Sequence, residues 1–372
     1  MKSLYYDKIG DCRINNSGGY NIMRYIGSKE GLLPFIDEVL EKNSIERGTF
    51  VDLFSGTGVV GKHFKEKGFK VISNDNLFFS YILQFVSIEM NTYPKFEGLE
   101  LKKEVSFERC REVIDLLNLL EGEKGFFYHN YSPAGQSNRM YFTKENASKI
   151  DSVREKIEIW YKQKKIKKKE YYYLIYSLIQ AIPYVSNTTG VYGAYLKSWD
   201  PRAKKDLTLE VPKITEGSKE CVSYNRDANE LIRNIKCDVL YLDPPYNNRQ
   251  YASNYHILET AAKWDNPDIY GKTGLRPYDD QKSLYCYKSK ALDVFKDLVE
   301  KARAKYIVLS YNIEGIMDKE DIIDILLTIS TNEKIKAYGE DYRRYRSDSN
   351  TKRNYKQCND MVKENIFFCE VK

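Results

Sequence analysis

The tetrapeptide Asp243-Pro244-Pro245-Tyr246 follows the apolar run Val239-Leu240-Tyr241-Leu242. A carboxylate at the carboxyl end of such a strand stands where open α/β sheets take their ligands. The two prolines stiffen the turn, so the Pro244 carbonyl can be fixed beside the carboxylate, and neither proline brings an amide hydrogen. Two acceptors held together suit an exocyclic amine on a flat heteroaromatic ring. The lone pair of such an amine is delocalised into the ring, and it becomes nucleophilic when acceptors hold both hydrogens and draw nitrogen towards tetrahedral geometry. Tyr246 offers a face on which the ring could stack, a contact worth roughly 1–3 kcal/mol. Asp243, Pro244 and Tyr246 are therefore the candidate catalytic residues.

A second constellation lies at Gly56-Thr57-Gly58-Val59-Val60-Gly61, where G-x-G-x-x-G follows the apolar stretch TFVDLF and Asp75 ends the next predicted strand. Read literally, this spacing describes a dinucleotide site such as that of an NAD-dependent oxidoreductase, with Asp75 on the ribose. Any adenosine cofactor has the same needs. Asp52 separates the candidates, because a carboxylate four residues before Gly56 would repel a pyrophosphate and attract an ammonium or sulfonium. The combination favours S-adenosyl-L-methionine, with Asp52, Gly56, Gly58 and Asp75 as its binders.

The elements that must position these groups can be read from periodicity. Gly48 to Asp75 has the pattern strand, glycine turn, helix, strand of a βαβ unit. From about Glu220 the alternation resumes: strand CVSYN, helix DANELIRNI, strand CDVLYL, helix SKALDVFKDLVEKARA, strand KYIVLSYN, a helical stretch Asp318 to Ser330 and a closing strand NIFFCEV. Between them the alternation stops, and the region is helical and rich in Lys and Tyr. The expected architecture is α/β, a Rossmann-like class I methyltransferase sheet with an inserted, helix-rich target-recognition domain. Residues 1–90 and 218–372 form the catalytic domain and 91–217 the insertion.

Composition bounds the class. With 372 residues, 42% hydrophobic and 14% aromatic, the chain can bury a sizeable core. A net charge of +6 is mild for a nucleic-acid binder but compatible with a basic cleft. The 7 cysteines show no C-x-x-C spacing and the 3 histidines lie far apart, so neither a metal site nor a disulfide framework is expected. No apolar stretch is long enough for a membrane span. The expected location is cytoplasmic and nucleoid-associated. Asn138, Arg139 and Tyr141 in the insertion, and Arg343 and Arg344 in the stretch Tyr342 to Lys356, are residue types that read base edges or hold phosphates, and they are the candidate DNA-binding residues. A Tyr-rich fold packing on itself and a solvated loop are the competing readings. The lysine run Lys162 to Lys169 is open to a solvated helix end or to phosphate contact.

On the glycine turn, the insertion and D-P-P-Y, in that order, the sequence resembles the Dam-like group of adenine-N6 DNA methyltransferases. The resemblance implies methyl transfer from S-adenosylmethionine to an adenine rotated out of double-stranded DNA, with a cognate restriction endonuclease as a candidate partner. It also implies that Arg24 to Lys29, RYIGSK, is an N-terminal cofactor motif from which Tyr25 and Lys29 carry over, although Ser28 replaces its second glycine. By the same likeness Phe54 belongs to the cofactor motif and Asp227 contacts the cofactor adenine. The phrases NNRQYASNYH, RMYFTKENA and VLSYNIEG resemble one branch of the group. Cytosine N4 or an RNA adenine is the competing target; the first usually goes with Ser in place of Asp243.

Overall fold

The computed structural model describes residues 3–7, 25–312, 315–343 and 361–372. Its strands are β1 (Ser3–Asp7), β2 (Thr49–Asp52), β3 (Lys70–Asn74), β4 (Val222–Tyr224), β5 (Lys236–Leu242), β6 (Arg303–Asn312), β7 (Lys334–Arg343) and β8 (Met361–Glu370). They form one sheet in the order β1-β7-β8-β6-β5-β2-β3-β4. The run from β4 to β6 is parallel, and β8 lies antiparallel between β6 and β7. The mixed α/β fold with a Rossmann-like sheet is the architecture expected from the sequence.

Strand alternation sends neighbouring side chains to opposite faces, and here both faces are apolar because helices cover both. Val239 and Tyr241 join Val39, Phe64, Ile366 and Phe368 on one side. Leu240 and Leu242 join Phe295, Leu298, Leu326, Phe367 and Cys369 on the other. The glycine-turn helix, Val59–Glu66, stops as the sequence suggests: Gly68, at φ +86, takes the left-handed conformation that ends it.

A third core belongs to the helical region. Helices Ser106–Asn118, Phe126–Tyr131, Lys144–Lys162 and Lys168–Ala181 lie within residues 91–217. Their buried side chains are continuous with Phe79, Ile82, Leu83 and Val86 before that region and with Tyr255, Ile257, Leu258 and Ala261 after it. The helix His256–Lys263, which follows the D-P-P-Y turn, therefore docks on the helical core and couples it to the end of β5.

Two strands are absent from the sequence-based outline, which runs from the helix Lys319–Ile329 straight to the last strand. β7 carries Ile335, Ala337 and Tyr338 into the core between exposed lysines, but Gly339 and the charges beyond it break the apolar alternation. β1 pairs along β7 as a parallel edge. The helix expected up to Ala304 ends at Lys301, and Arg303 already begins β6. Among the described residues five cysteines are free and buried, no helix is long and apolar enough to cross a membrane, and no cluster of potential metal ligands occurs.

Candidate active site

The glycine turn begins where β2 ends. Asp52 is buried, and its Oδ2 accepts from the Ser55 hydroxyl at 2.6 Å and from the Gly61 amide at 3.0 Å. The second bond satisfies one of the amides that a helix N-terminus leaves unpaired. Burial pushes the Asp52 carboxyl up to about 6, against those two hydrogen bonds. Gly56 (φ +53) and Gly58 (φ +84) hold left-handed conformations that a side chain would strain. A Cβ on Gly56 would lie 3.1 Å from the Tyr25 ring, and one on Gly61 would lie 2.7 Å from Ile88 Cδ1. The turn thus needs its first two glycines for backbone shape and its third for helix packing.

Asp75 caps the end of β3 and clamps the same turn. Its Oδ2 accepts from the Gly56 amide at 3.0 Å and its Oδ1 from the Leu77 amide at 2.8 Å. Burial pushes this carboxyl up to about 7, opposed by the two amides and assisted by Glu259 and Asp52. Each oxygen keeps a second lone pair for a hydroxyl donor. Asp227 is exposed and caps the helix Ala228–Ile232 through the Glu230 amide. Phe54 is half-buried, edge-on to Tyr285 at 5.1 Å.

The segment that begins at Tyr25 closes the opposite side. The Tyr25 ring stacks on Tyr255 at 4.6 Å, and the Ile26 amide donates to the Tyr255 hydroxyl at 2.7 Å. These contacts tie the segment to the residues that follow D-P-P-Y. Lys29 is buried, and its ammonium lies 2.5 Å from Glu364 Oε1 and 3.2 Å from Asp243 Oδ1. Burial would push Lys29 down, but Asp243 and Glu364 overcome this and hold it well above the usual lysine value. The sequence places Lys29 with the cofactor binders; its charged end instead meets the Asp243 and Glu364 carboxylates.

Asp243 leaves β5 at the sheet edge. Its Oδ1 is buried and accepts no hydrogen bond, the Lys29 contact being an ion pair without hydrogen-bond alignment. Burial pushes its carboxyl up to about 7, with Lys29 opposing and Glu364 reinforcing the rise. Pro244 is buried beside it, and Tyr246 is half-buried, edge-on to Tyr311 at 6.3 Å with the Lys29 ammonium 5.6 Å from its ring centre. One cavity of about 500 Å³ is lined by every catalytic and cofactor candidate named from the sequence except Gly58, which shapes the turn beneath it. That volume lies in the range of small-molecule sites. The glycine cradle and the acids that line the cavity fit an adenosine-bearing cation.

Glu364, Tyr251 and Tyr285 were not legible as site residues. Tyr251 and Tyr285 line the cavity from the short helices Tyr251–Asn254 and Leu284–Cys286 beyond D-P-P-Y, and Glu364 reaches Lys29 from the last strand, more than three hundred residues away in sequence. No local pattern marks them.

The DNA-binding candidates do not gather in the same way. Tyr141 is fully buried, and its hydroxyl donates to the Tyr192 carbonyl at 2.7 Å. Arg139 is buried, with its guanidinium donating to the carbonyls of Asn130, Gly271 and Lys272. Both are corrected to structural residues, since a side chain whose polar atoms are already engaged inside the fold cannot present them to a base. Asn138 is exposed at φ +45 in the same turn. Arg343 ends β7, paired in register with Met361, and Arg344 lies outside the described residues. In the lysine run, Lys167 pairs with Glu97 and its amide donates to Glu170, so part of the run serves a helix start.

Against known proteins, the model of the D12 class N6 adenine-specific DNA methyltransferases matches residues 25–325. The chain belongs to that family. It is 47% identical over 326 residues to the type II methyltransferase M.FokI of Planomicrobium okeanokoites, covering 87% of this chain and 50% of that one. It is 42% identical over 331 residues to the modification methylase StsI of Streptococcus sanguinis, covering 89% and 50%. With the type II methyltransferase M.NlaIII of Neisseria lactamica it shares 38% identity over 337 residues, covering 90% and 96%. The chain thus spans about half the length of the first two relatives and nearly all of the third.

Proposed function

We propose that the chain transfers a methyl group from S-adenosylmethionine to the N6 amine of an adenine flipped out of duplex DNA, as the modification half of a restriction-modification system. The observation that carries this reading is the buried, unbonded Asp243 Oδ1 beside the rigid Pro244 turn, in a cavity shared with the glycine turn. Bound there, S-adenosylmethionine would supply an electrophilic methyl on a sulfonium. Asp75 would hold the ribose hydroxyls, Asp227 the adenine edge, and Asp52 would favour the positive methionine end.

The chain's own residues do the rest. Asp243 and the Pro244 carbonyl accept the two N6 hydrogens, which localises the nitrogen lone pair for direct attack on the methyl carbon. As the new N–C bond forms, the electrons of the broken C–S bond stay on sulfur, and the surplus proton on N6 passes to the Asp243 carboxylate. Tyr246 stacks on the extruded base and holds it in line. No covalent enzyme intermediate is required. Residues 1–90 and 218–372 act as the catalytic part, and Asn138, exposed in its turn, is the base-reading candidate of the 91–217 region still available to DNA.

The test is incubation with labelled S-adenosylmethionine and unmethylated duplex DNA, followed by nucleoside analysis. Label in N6-methyladenine is the expected outcome. Label in N4-methylcytosine, label on RNA alone, or tight NAD binding without S-adenosylmethionine binding would each overturn the reading.

A further inference from the structure

At the catalytic end of the cavity one buried cation faces two carboxylates, and it favours the one that no sequence motif marks. Lys29 Nζ lies 2.5 Å from Glu364 Oε1 against 3.2 Å from Asp243 Oδ1. The Ser310 hydroxyl donates to the same Glu364 oxygen at 2.9 Å, so Glu364 receives two donors while Asp243 Oδ1 receives no hydrogen bond. Glu364 is itself buried and fixed, because β8 is paired on both sides, opposite Asn312 of β6 and Glu340 of β7.

A buried ammonium turns towards whatever acceptor can reach it, since an unpaired buried charge is costly. Without a competitor, Lys29 would donate squarely to Asp243 Oδ1 and occupy a lone pair in line for the target amine. We propose that Glu364 is a positioning residue that draws Lys29 off Asp243, leaving the carboxylate charged yet free to accept from the substrate amine. This rests on the methyltransferase reading and adds to it the residue that sets the basicity of the acceptor. Lys29 then has two duties: its charge keeps Asp243 ionisable in a buried place, and its tether to Glu364 keeps that charge from blocking it.

The charged and titratable groups facing Asp243 are Lys29 before the first helix, Glu364 on β8, Asp52 on β2, Tyr241 on β5, and Tyr246 and Tyr251 after the turn. The phenols of Tyr241 and Tyr251 are pushed well above their usual value by burial and stay neutral, so Lys29, Glu364 and Asp52 supply the local charge. Removing the Glu364 charge lowers the Asp243 pKa twice over, by deleting a neighbouring anion and by releasing Lys29 towards it. Removing the Lys29 charge raises it.

The experiment is single-turnover methylation as a function of pH, on genomic DNA from a host without adenine methylation, with a second measurement that needs no activity. In that second measurement the Asp243 carboxyl carbon, identified by its loss in Asp243→Asn, is titrated by carbon NMR in protein labelled at aspartate. Glu364→Gln is expected to move both the acid limb and the NMR titration down by about one pH unit or more, and to lower the alkaline plateau by about tenfold or more. Lys29→Met is expected to move both upward. Glu364→Asp, which keeps the charge one methylene further back, moves them down by less than Gln does. A Glu364→Gln enzyme that is slower at every pH with limb and titration unmoved has lost only structure, and that result overturns the proposal. An inactive parent whose Asp243 titration still moves as stated would refute the methyltransferase reading and leave the hold of Glu364 on Lys29 standing; an active parent with an unmoved titration would do the reverse.

Discussion

The sheet edge around Asp243 and the helical region around Tyr141 are built from similar residue types, yet they end in opposite states. In the helical region the buried polar groups are consumed by the fold: Tyr141 bonds a carbonyl, Arg139 bonds three, and Asp151 accepts from the amides of Gly125, Phe127 and Tyr128. At the sheet edge Asp243 is left with an open acceptor, and three carboxyls, those of Asp52, Asp75 and Asp243, are pushed up by burial to between about 6 and 7. A satisfied buried group stabilises a structure, whereas an unsatisfied one in a cavity holds binding capacity in reserve. The difference separates scaffold from site more sharply than residue type does.

Tyr246 offers the largest effect with which to sharpen this comparison. Its ring lines the cavity, so Tyr246→Ala should lose the stacking contribution, about 5- to 150-fold, and positioning worth about another hundredfold. Tyr246→Phe keeps the π face and should stay close to the parent. The defect in the Ala enzyme should shrink on a mismatched adenine, which has less stacking and pairing to give up. Single-turnover rates on paired and mismatched duplexes measure this; Phe as damaging as Ala would move the role from the ring to the hydroxyl.

The helical region should respond in stability and not in recognition. Tyr141→Phe removes one of the two partners of the buried Tyr192 carbonyl, the His256 Nε2 contact at 3.0 Å remaining, at a cost of about 0.5–1.5 kcal/mol. It should lower the thermal midpoint while leaving the methylated DNA sequence unchanged. Asn138→Gly, at an exposed turn whose φ of +45 glycine adopts without strain, should do the opposite. If sequencing of methylated DNA shows an altered site for Tyr141→Phe, the separation of scaffold from site drawn here fails.

The smallest effect is a pH-dependent gain. A carboxyl whose folded pKa is raised contributes stability that is fully present below its unfolded value, near 4, and is lost as pH rises through the folded value. For Asp243 that loss accrues between about 4 and about 7 and is complete above the folded value. Asp243→Asn should therefore be more stable than the parent at pH 8, with the gain fading by pH 5. A larger gain at pH 5 than at pH 8 in calorimetry would reverse the assigned sign.

What was legible in the sequence is what is local in the chain. Gly56, Gly58 and Asp75 are set by one strand-turn-helix-strand unit, and Asp243 to Tyr246 by one strand and its turn, so spacing alone marks them. Glu364 is paired to Lys29 through the whole sheet, and an acid near the start of a strand carries no sign of the cation it will meet. β7 escaped because Gly339 and its charged neighbours interrupt the alternation, and pairing to β8 alone carries the strand through them. Tyr141 and Arg139 were misassigned because aromatic, amide and guanidinium groups suit a base edge and a carbonyl-rich interior equally well. Only burial distinguishes the two.

The account turns on a division of labour between two half-buried acids, Asp243 acting on the target amine and Asp75 on the cofactor. The direct measurement is S-adenosylmethionine affinity and single-turnover methylation for Asp243→Ala and Asp75→Ala side by side. Asp243→Ala should bind S-adenosylmethionine nearly as the parent does and lose methyl transfer by about 10²–10³-fold or more. Asp75→Ala should weaken binding by the loss of charge-assisted hydrogen bonds, each worth roughly 1.5–3 kcal/mol. Asp243→Ala activity within about tenfold of the parent, or an unchanged dissociation constant for Asp75→Ala, would contradict it.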